Sequence, residues 1–369
     1  MGSVARAVLL SLWAGLARGA SSSAAYVVRV TLCACLAAGC LSSGAVEAAT
    51  TDGQTSVENS TDKRLWTVGI RWENDTIANH DRFYTNGSAV WLAHTGESWA
   101  DPIMNWLPWG QGRHTVTYSL SQAMFTPEDT ARAVPDPTDR PYAGVLTFGL
   151  GLHVDRDNRY NGLKLILGVV GPWALGGETQ REFHRLVGSN IPRGWDYQLH
   201  NEPIINLAYE HRRKYRVLGR ADGWAVEAIP VVGLMAGNLL IQGNVAGHVR
   251  LGYKIPDDFG STLLRGMSEL PPPRWNPAGA STSMLSTLGF YVFGGVAGNF
   301  VLRDLTLDGN TFKDSPSVDK EWFVPTARFG VGVGNRRFLA TFTYVYAGKT
   351  FKGHPSTAEY GALTFSYFF

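Results

Sequence analysis

The sequence predicts an all-β protein, a transmembrane antiparallel β-barrel of about twelve strands, and three observations support this fold. The 369-residue chain is 12% aromatic and only 17% charged, with 42 glycines, whereas soluble proteins average roughly 25% charged residues. Apolar and aromatic side chains recur at every second position over segments of about ten residues, which is typical of strands that cross a bilayer. Beyond the leader described next, no segment approaches the roughly 20 consecutive apolar residues that a spanning helix needs. A closed barrel allows such strands to cross lipid with every backbone group hydrogen-bonded.

The first 48 residues are predicted to be a Sec-type secretory signal peptide. Arg29 precedes an apolar stretch, Val30–Cys40, and small residues follow, with Val46 and Ala48 at the −3 and −1 positions of a cleavage site. A membrane anchor is an alternative interpretation of this segment, and so is a lipid attached to Cys40. We expect cleavage near Ala48.

Removal of the leader changes the composition of the chain. The leader holds all three cysteines, three of the 33 basic residues and one of the 31 acidic residues, so the remainder has 30 charges of each sign. A cysteine-free chain excludes disulfides, a thiol nucleophile and a thiolate metal site. A neutral balance offers no basic surface for nucleic acid, so no nucleic-acid partner is expected. Residues 49–64 are interpreted as a linker and residues 65–369 as the barrel domain.

The alternation also locates the individual strands. The predicted strands lie near residues 65–74, 83–95, 114–124, 144–156, 162–170, 203–214, 223–236, 239–254, 286–299, either 301–308 or 321–334, 337–350 and 357–369. Phe369 ends the chain on an aromatic strand, which is typical of bacterial outer-membrane barrels, and their usual even number favours twelve. A secreted β-sandwich is the alternative, although its strands tend to run about five or six residues.

Four stretches interrupt the alternation. Asp101–Gln111 is rich in Trp and Pro, Thr126–Arg140 is rich in Pro and Asp, and both are predicted to be loops. Asp257–Ala280 contains three consecutive prolines and is predicted to be a long extracellular loop. Trp173–Val187 has a partly helical period, so a short helix is expected there, although a simple channel would not require one.

Polar clusters at strand ends are the candidate functional sites. Glu73–Gly87 joins the first two strands and is dense in oxygen ligands for a hard cation such as Ca²⁺, although an ordinary turn has a similar composition. Gln180 and His184 lie four residues apart on the predicted helix, where the histidine is either a general base or structural. Asp139–Gly144 is either catalytic or a loop-to-strand corner with an ion pair.

Together these motifs resemble the outer-membrane lipid A 3′-O-deacylase family over residues 65–369. The motifs that carry the resemblance are Glu73-Asn-Asp75, Tyr84-Thr-Asn-Gly87, Asp139-Arg-Pro-Tyr-Ala-Gly144, Gln180-x-x-x-His184-Arg185 and Gly194-Trp-Asp-x-Gln198. The resemblance implies a twelve-stranded barrel whose active site lies between the barrel wall and a helix. It also implies a Ca²⁺-dependent esterase that removes the 3′-linked acyloxyacyl chain from lipid A, the lipopolysaccharide anchor in the outer leaflet.

Five residues match the site residues that the resemblance implies. The family's essential Asn-Asp pair corresponds to Asn74 and Asp75, and its hydroxyl residue corresponds to Thr85. Its catalytic histidine corresponds to His184, and a site glutamine corresponds to Gln180. Asp75 and Asn74 are the expected Ca²⁺ ligands.

Two parts of the family's pattern match less well. The basic residues that face lipid A phosphates fall in the loop Thr126–Arg140, where Arg132 is the candidate for substrate binding. The acidic residue expected shortly after the histidine is missing, since Ser189 and Asn190 stand near that position. The residues that could replace it as a calcium ligand are Asp81, Asp196 and Glu202.

The mechanism that follows from these matches is hydrolysis without an acyl-enzyme. His184 takes a proton from a water molecule, which attacks the ester carbonyl. Ca²⁺ held by Asp75 and Asn74 polarises that carbonyl and, with the Thr85 hydroxyl, stabilises the oxyanion.

Other functions are compatible with the same strands. A passive porin or a structural barrel would need none of the polar clusters, and a different outer-membrane esterase would use a serine nucleophile near the histidine. We expect the protein in the bacterial outer membrane, inserted by the barrel-assembly machinery. The sequence does not indicate an oligomeric state.

Overall fold

The computed structural model describes residues 65–75, 83–274, 287–354 and 357–369. The predicted signal peptide and linker lie outside these residues. The strands are β1 (Leu65–Asn74), β2 (Phe83–Thr95), β3 (Arg113–Thr126), β4 (Ala143–Arg156), β5 (Arg159–Val170), β6 (Glu202–Arg213), β7 (Tyr215–Gly219), β8 (Trp224–Gly237), β9 (Leu240–Tyr253), β10 (Gly289–Asp304), β11 (Phe323–Gly334), β12 (Phe338–Ala347) and β13 (Ala358–Phe368). The α-helices are α1 (Asp101–Trp106), α2 (Gly176–Val187) and α3 (Leu305–Asp308), and 3₁₀ turns cover Pro172–Ala174 and Trp195–Tyr197.

The strands form one antiparallel sheet that closes on itself. The sheet closes where β1 pairs with β13 and where β6 pairs with β8. β7 continues β6 beyond Lys214 and pairs with the same partner, so the two segments together form one strand of the wall. The wall of the described chain therefore has twelve strands, and the predicted closed barrel is confirmed.

The ambiguous tenth strand is resolved in favour of residues 321–334, which contain β11. The alternative, 301–308, is wrong because β10 continues to Asp304 and the next four residues form α3. The Asp304 side chain accepts a hydrogen bond from the Thr306 backbone N–H at 3.0 Å. This is an N-cap, which ends the strand and starts the helix.

The loop predicted at Asp101–Gln111 contains a helical turn that the sequence did not predict, α1. Pro102 lies in its first turn, where a missing N–H leaves no helical hydrogen bond unmade. Asp101, the first residue of the helix, contacts the His114 ring on β3 at 2.7 Å. In the part of the chain that the structure describes, no helix is both long and apolar enough to cross a bilayer.

Side chains alternate between the lumen and the outer surface of the wall. In β1, Thr67 and Arg71 are buried, whereas Val68 and Ile70 are partly exposed. Large exposed apolar side chains elsewhere on the wall include Val90, Leu120, Phe148, Leu207, Val232, Val249, Val292 and Phe329. An apolar outer surface is what a barrel in lipid requires.

The stretch Asp257–Ala280 is not the extracellular loop that we predicted. It leaves the barrel between β9 and β10, at the end where β13 finishes and β1 begins, and its described part enters the lumen. Inside, the Arg71 Nη1 donates to the Ser268 carbonyl at 2.7 Å, and the Arg212 Nη1 donates to the Phe259 carbonyl at 2.8 Å. We call residues 254–274 the lumen loop.

The inward course of the lumen loop has a physical cause. Basic side chains that point into a barrel lose most of their water and need carboxylates or carbonyls as partners. The lumen loop supplies them, and the ion pairs are Lys164–Glu269, Lys214–Asp257 and Arg250–Asp258. The composition of the loop does not reveal this, because polar and proline-rich segments suit a solvent-exposed loop equally well.

We expect Lys164→Met to destabilise the barrel by about 3–5 kcal/mol, because it leaves the Glu269 carboxylate buried without its cation. The Lys164 Nζ lies 2.7 Å from Glu269 Oε2, and both side chains are nearly inaccessible. Urea unfolding in detergent measures the change. An exposed pair provides the control, since Arg220→Met should cost under about 1 kcal/mol. Equal effects of the two substitutions would contradict the prediction.

The same pair makes stability depend on pH. Burial raises the pKa of Glu269, but the Lys164 ammonium and the hydrogen bonds from Lys164 and Ser268 outweigh burial, so the pKa lies below its ordinary value. A carboxyl with a lowered pKa contributes stability above its unfolded pKa, and that stability is lost as pH falls through the folded pKa. In Lys164→Met this contribution should disappear from the pH profile of unfolding.

Candidate active site

A buried polar cluster lies on the outer side of the wall at the end of β1 and the start of β2. Arg71 and Glu73 of β1 point into the lumen, so the alternation turns Asn74 outward. Outward side chains elsewhere on the wall are mostly exposed, yet Asn74, Asp75 and Thr85 are each at most 3% exposed. Polar groups covered in this way, on a surface that otherwise faces lipid, mark a site.

Thr85 is held by two hydrogen bonds. The Asn74 Nδ2 donates to the Thr85 carbonyl at 3.0 Å, and the Thr85 and Thr126 hydroxyl oxygens lie 2.7 Å apart. The pairing of β2 with β3 shifts register between Tyr84 and Asn86, so Thr85 sits in a β-bulge. Bulges next to active sites re-aim a side chain. Thr126, which the sequence did not single out, thereby becomes part of the cluster.

The start of α2 packs against the outside of the wall. The Gln122 Nε2 of β3 donates to the Ala174 carbonyl at 2.7 Å, directly before the helix. A Cβ added to Gly144 of β4 would lie 3.1 Å from the Gly176 nitrogen, so these two glycines allow the close approach. The predicted helix, expected within Trp173–Val187, is therefore confirmed, and its first turns flank the wall.

Gln180 is fixed on this part of α2 by a tryptophan. The Trp195 Nε1 donates to Gln180 Oε1 at 2.7 Å, and both side chains are buried. Trp195 packs in turn against Met124 and Tyr142. An indole N–H can only donate, so the amide must present its oxygen to Trp195. The Gln180 Nε2 then remains as a buried donor with no hydrogen-bond partner among the described residues.

The last turn of α2 and the residues directly after it, Phe183–Ser189, belong to a structural unit separate from the barrel. Within this segment His184 is 5% exposed, and its ring lies 6.4 Å from the Phe183 ring. The Ser189 N–H donates to the His184 carbonyl at 2.9 Å and so closes the end of α2. His184 follows Gln180 by four residues on the helix, as the sequence predicts.

The donor set at the end of β1 suits a hard cation. Asn74 turns its amide nitrogen to the Thr85 carbonyl, so the amide oxygen is the only side-chain atom of Asn74 that could bind a cation. The Asp75 carboxylate follows directly and is buried. Carboxylate and amide oxygens are the ligands that Ca²⁺ prefers. Over the described ranges no group of three or more His, Asp or Glu residues could hold a metal, so Ca²⁺ would need further oxygen ligands.

The sequence model of the outer-membrane protein LpxR matches residues 32–369. The chain belongs to the LpxR family. The resemblance to the outer-membrane lipid A 3′-O-deacylases is thereby confirmed, and the protein is placed in the bacterial outer membrane.

One solved structure agrees with this family at the level of the fold, and a second is less similar. LpxR from Salmonella typhimurium is 20% identical and superposes with a TM-score of 0.66, covering 82% of this chain and 100% of that chain. The β domain of the Bordetella autotransporter BrkA has a TM-score of 0.37 and 10% identity, covering 82% of this chain and 98% of its own. No curated protein sequence matches the chain.

The predicted substrate-binding residue and the possible further calcium ligands of this LpxR-family chain are placed less favourably. Arg132 is exposed and pairs with Asp136 at 3.0 Å, on the loop that precedes β4. Asp196 is exposed, and Asp81 lies outside the described residues. Glu202 is already engaged, since it accepts hydrogen bonds from Asn238, Asn310 and Thr311 at 2.9, 3.2 and 2.7 Å respectively.

The third motif of the LpxR-family chain, Asp139–Gly144, forms a loop-to-strand corner. Asp139 accepts hydrogen bonds from the backbone N–H groups of Glu128 and Arg140, both at 2.7 Å. Arg140 lies 4.4 Å above the Phe125 ring, and burial lowers the pKa of its guanidinium to about 10. The motif holds the loop against the barrel and delivers Tyr142 to the Trp195 ring, 5.0 Å away.

Proposed function

We propose that this chain is a Ca²⁺-dependent esterase that hydrolyses the 3′-O-linked acyloxyacyl chain of lipid A. Family membership supports the substrate class. The observation that carries the proposal is the buried cluster of Asn74, Asp75 and Thr85 on the outward side of the wall. An ester of a membrane lipid reaches that side by lateral diffusion within the leaflet, without entering the lumen.

The proposed reaction uses residues of the cluster together with Gln180 and His184 of α2. His184 takes a proton from the attacking water as general base. The Thr85 hydroxyl and the Gln180 Nε2 donate hydrogen bonds to the oxygen on which charge develops. When bound by the Asp75 carboxylate and the Asn74 amide oxygen, Ca²⁺ supplies Lewis-acid stabilisation of that charge. Arg132 stays a candidate for contact with a lipid A phosphate.

A passive porin is less well supported. A porin needs a water-filled path through its lumen. Here the lumen loop crosses the barrel, and its Glu269 and Asp258 side chains are paired with lumen-facing Lys164 and Arg250. A conductance measurement on the purified protein in planar bilayers would separate the two functions, since we expect no sustained open-channel current.

Mass spectrometry of lipid A tests the proposed function directly. The chain is expressed in a strain with hexa-acylated lipid A, and isolated membranes are incubated with Ca²⁺ or with a chelator. We expect loss of the 3′-linked chains only with Ca²⁺, and no change with an empty vector. Unchanged lipid A in the presence of Ca²⁺ and folded protein would overturn the proposal. Release that persists under chelation would overturn the role of the cation alone.

Insertion by the barrel-assembly machinery stays a prediction of the outer-membrane fold. Depletion of that machinery should leave the chain unfolded and sensitive to periplasmic proteases.

A further inference from the structure

Two of the sequence motifs contain residues that the proposed reaction does not use. Glu73 precedes Asn74, and Tyr84 precedes Thr85, but both side chains point to the lumen instead of the outer cluster. Glu73 is fully buried, and burying a carboxylate is costly unless it is well hydrogen-bonded. The lumen side of these two strand ends therefore needs an explanation of its own.

Glu73 joins three elements of the barrel. The Tyr84 hydroxyl donates to Glu73 Oε2 at 2.7 Å, which links β2 to β1. The Leu264 backbone N–H donates to Glu73 Oε1 at 2.7 Å, which links both strands to the lumen loop. The lumen loop enters from the opposite end of the barrel, so it reaches the back of the wall that carries the outer cluster.

Gly87 makes room for this arrangement. It stands opposite Glu73 in the register of β1 and β2. A Cβ at Gly87 would lie 2.0 Å from the Tyr84 hydroxyl oxygen and 2.7 Å from a methyl carbon of Leu264. The glutamate, tyrosine and glycine of the two motifs thus form one packed unit.

The unit is connected to the outer cluster through the backbone. The register shift between Tyr84 and Asn86 leaves Thr85 in the bulge, so the direction of its hydroxyl depends on where Tyr84 is fixed. Asn74 is the next residue after Glu73, and its Nδ2 bonds to the Thr85 carbonyl. A displacement of either lumen residue would therefore move both outer residues.

We propose that Glu73 and Tyr84 are positioning residues, which hold the active-site ends of β1 and β2 from the lumen and couple them to the lumen loop through Leu264. This inference rests on the proposed hydrolysis for its activity readout. Glu73 acts here as a hydrogen-bond acceptor for two donors and neither contacts substrate nor transfers a proton.

Three substitutions distinguish a positioning role of Glu73 and Tyr84 from a direct catalytic role. Glu73→Ala removes both hydrogen bonds, and we expect kcat to fall about 100-fold, the effect of a misplacement near 1 Å, with KM nearly unchanged. Tyr84→Phe removes one of these two hydrogen bonds, and we expect kcat to fall about tenfold. Glu73→Gln should stay within about threefold of the wild type, because its oxygen accepts from Leu264 and its NH₂ donates to the tyrosine hydroxyl.

Tyr160→Phe is the matched control. Tyr160 is also a buried lumen tyrosine, its hydroxyl lies 2.9 Å from His153 Nδ1, and it packs against Phe259 and Met267 of the lumen loop. It stands near the start of β5, at the other end of the barrel from the cluster. We expect its kcat to match the wild type. Heat-dependent mobility on SDS gels verifies that every variant forms the barrel.

Hydrogen–deuterium exchange gives a second readout that does not need activity. Glu73→Ala should accelerate exchange both at the ends of β1 and β2 and at residues 262–268 of the lumen loop, whereas Glu73→Gln and Tyr160→Phe should not accelerate it at the strand ends. If wild-type protein releases no fatty acid, the proposed function fails, while this exchange pattern would still support the coupling. The positioning role is overturned if Glu73→Gln is as inactive as Glu73→Ala, if Glu73→Ala retains kcat, or if its exchange is unchanged.

Discussion

Replacement of His184 with alanine is expected to slow release of the 3′-linked fatty acid by about 100- to 10,000-fold, the usual contribution of a general base. Water at neutral pH is a poor nucleophile towards an ester, so losing the group that takes its proton removes most of the rate. His184 is buried and follows Gln180 by four residues on α2, and the sequence motif predicts it to be the catalytic histidine. Mass spectrometry of released fatty acid over time measures the effect.

His114→Ala is a suitable control for this experiment. His114 contacts Asp101 and the Gly110 carbonyl, both at 2.7 Å, near the start of β3 at the other end of the wall. We expect the control to release fatty acid at the wild-type rate. Wild-type activity in His184→Ala would refute the base-assisted mechanism, provided that the variant shows the mobility of a folded barrel.

The second large effect is expected for Asp75→Ala. Under the proposed function, one carboxylate ligand of Ca²⁺ and its stabilisation of the oxyanion disappear together, so we expect the rate to fall about 100-fold or more. The carboxylate is buried directly after β1, next to Asn74, whose Nδ2 is hydrogen-bonded to the Thr85 carbonyl. Rates are measured across a Ca²⁺ titration and again after chelation. The residual activity of the variant should no longer respond to the chelator.

That loss of response is the informative part of the test. If Asp75 and Ca²⁺ act as a unit, removing both lowers the rate of fatty-acid release no more than removing either one alone. Asp222→Ala, at an exposed residue between β7 and β8, should keep the full response. A variant of Asp75 that is slower but still fully sensitive to chelation would place the cation on other ligands.

Much of the fold could be predicted because the sequence pattern of a barrel wall is local. Alternation fixes which side chains face lipid, and the segment lengths match the bilayer, so eleven strands and the even count followed without tertiary information. The tenth strand was ambiguous because Val301 and Leu302 continue the alternation to Asp304, where an N-cap ends it. Short-range patterns do not show where a capping side chain will bond.

The site could be predicted only in part. The spacing of Gln180 and His184 is a helical signal, and the ends of β1 and β2 must meet. The bond between Trp195 and Gln180 and the contact of Leu264 with Glu73, however, join residues far apart in the chain. Such contacts depend on how a loop turns after it leaves the wall, and the sequence alone predicted the wrong direction for Asp257–Ala280.

The position of the polar cluster on the outward face of the wall has a consequence for kinetics. For a substrate that arrives through the leaflet, the concentration that determines the rate is its concentration within the membrane. The bulk volume of the sample does not affect that concentration. Under the proposed function, the rate at fixed protein should follow the mole fraction of lipid A in the bilayer. Added phospholipid or detergent would then slow the reaction by dilution in two dimensions, while dilution of the same vesicles in buffer would leave the rate per protein unchanged.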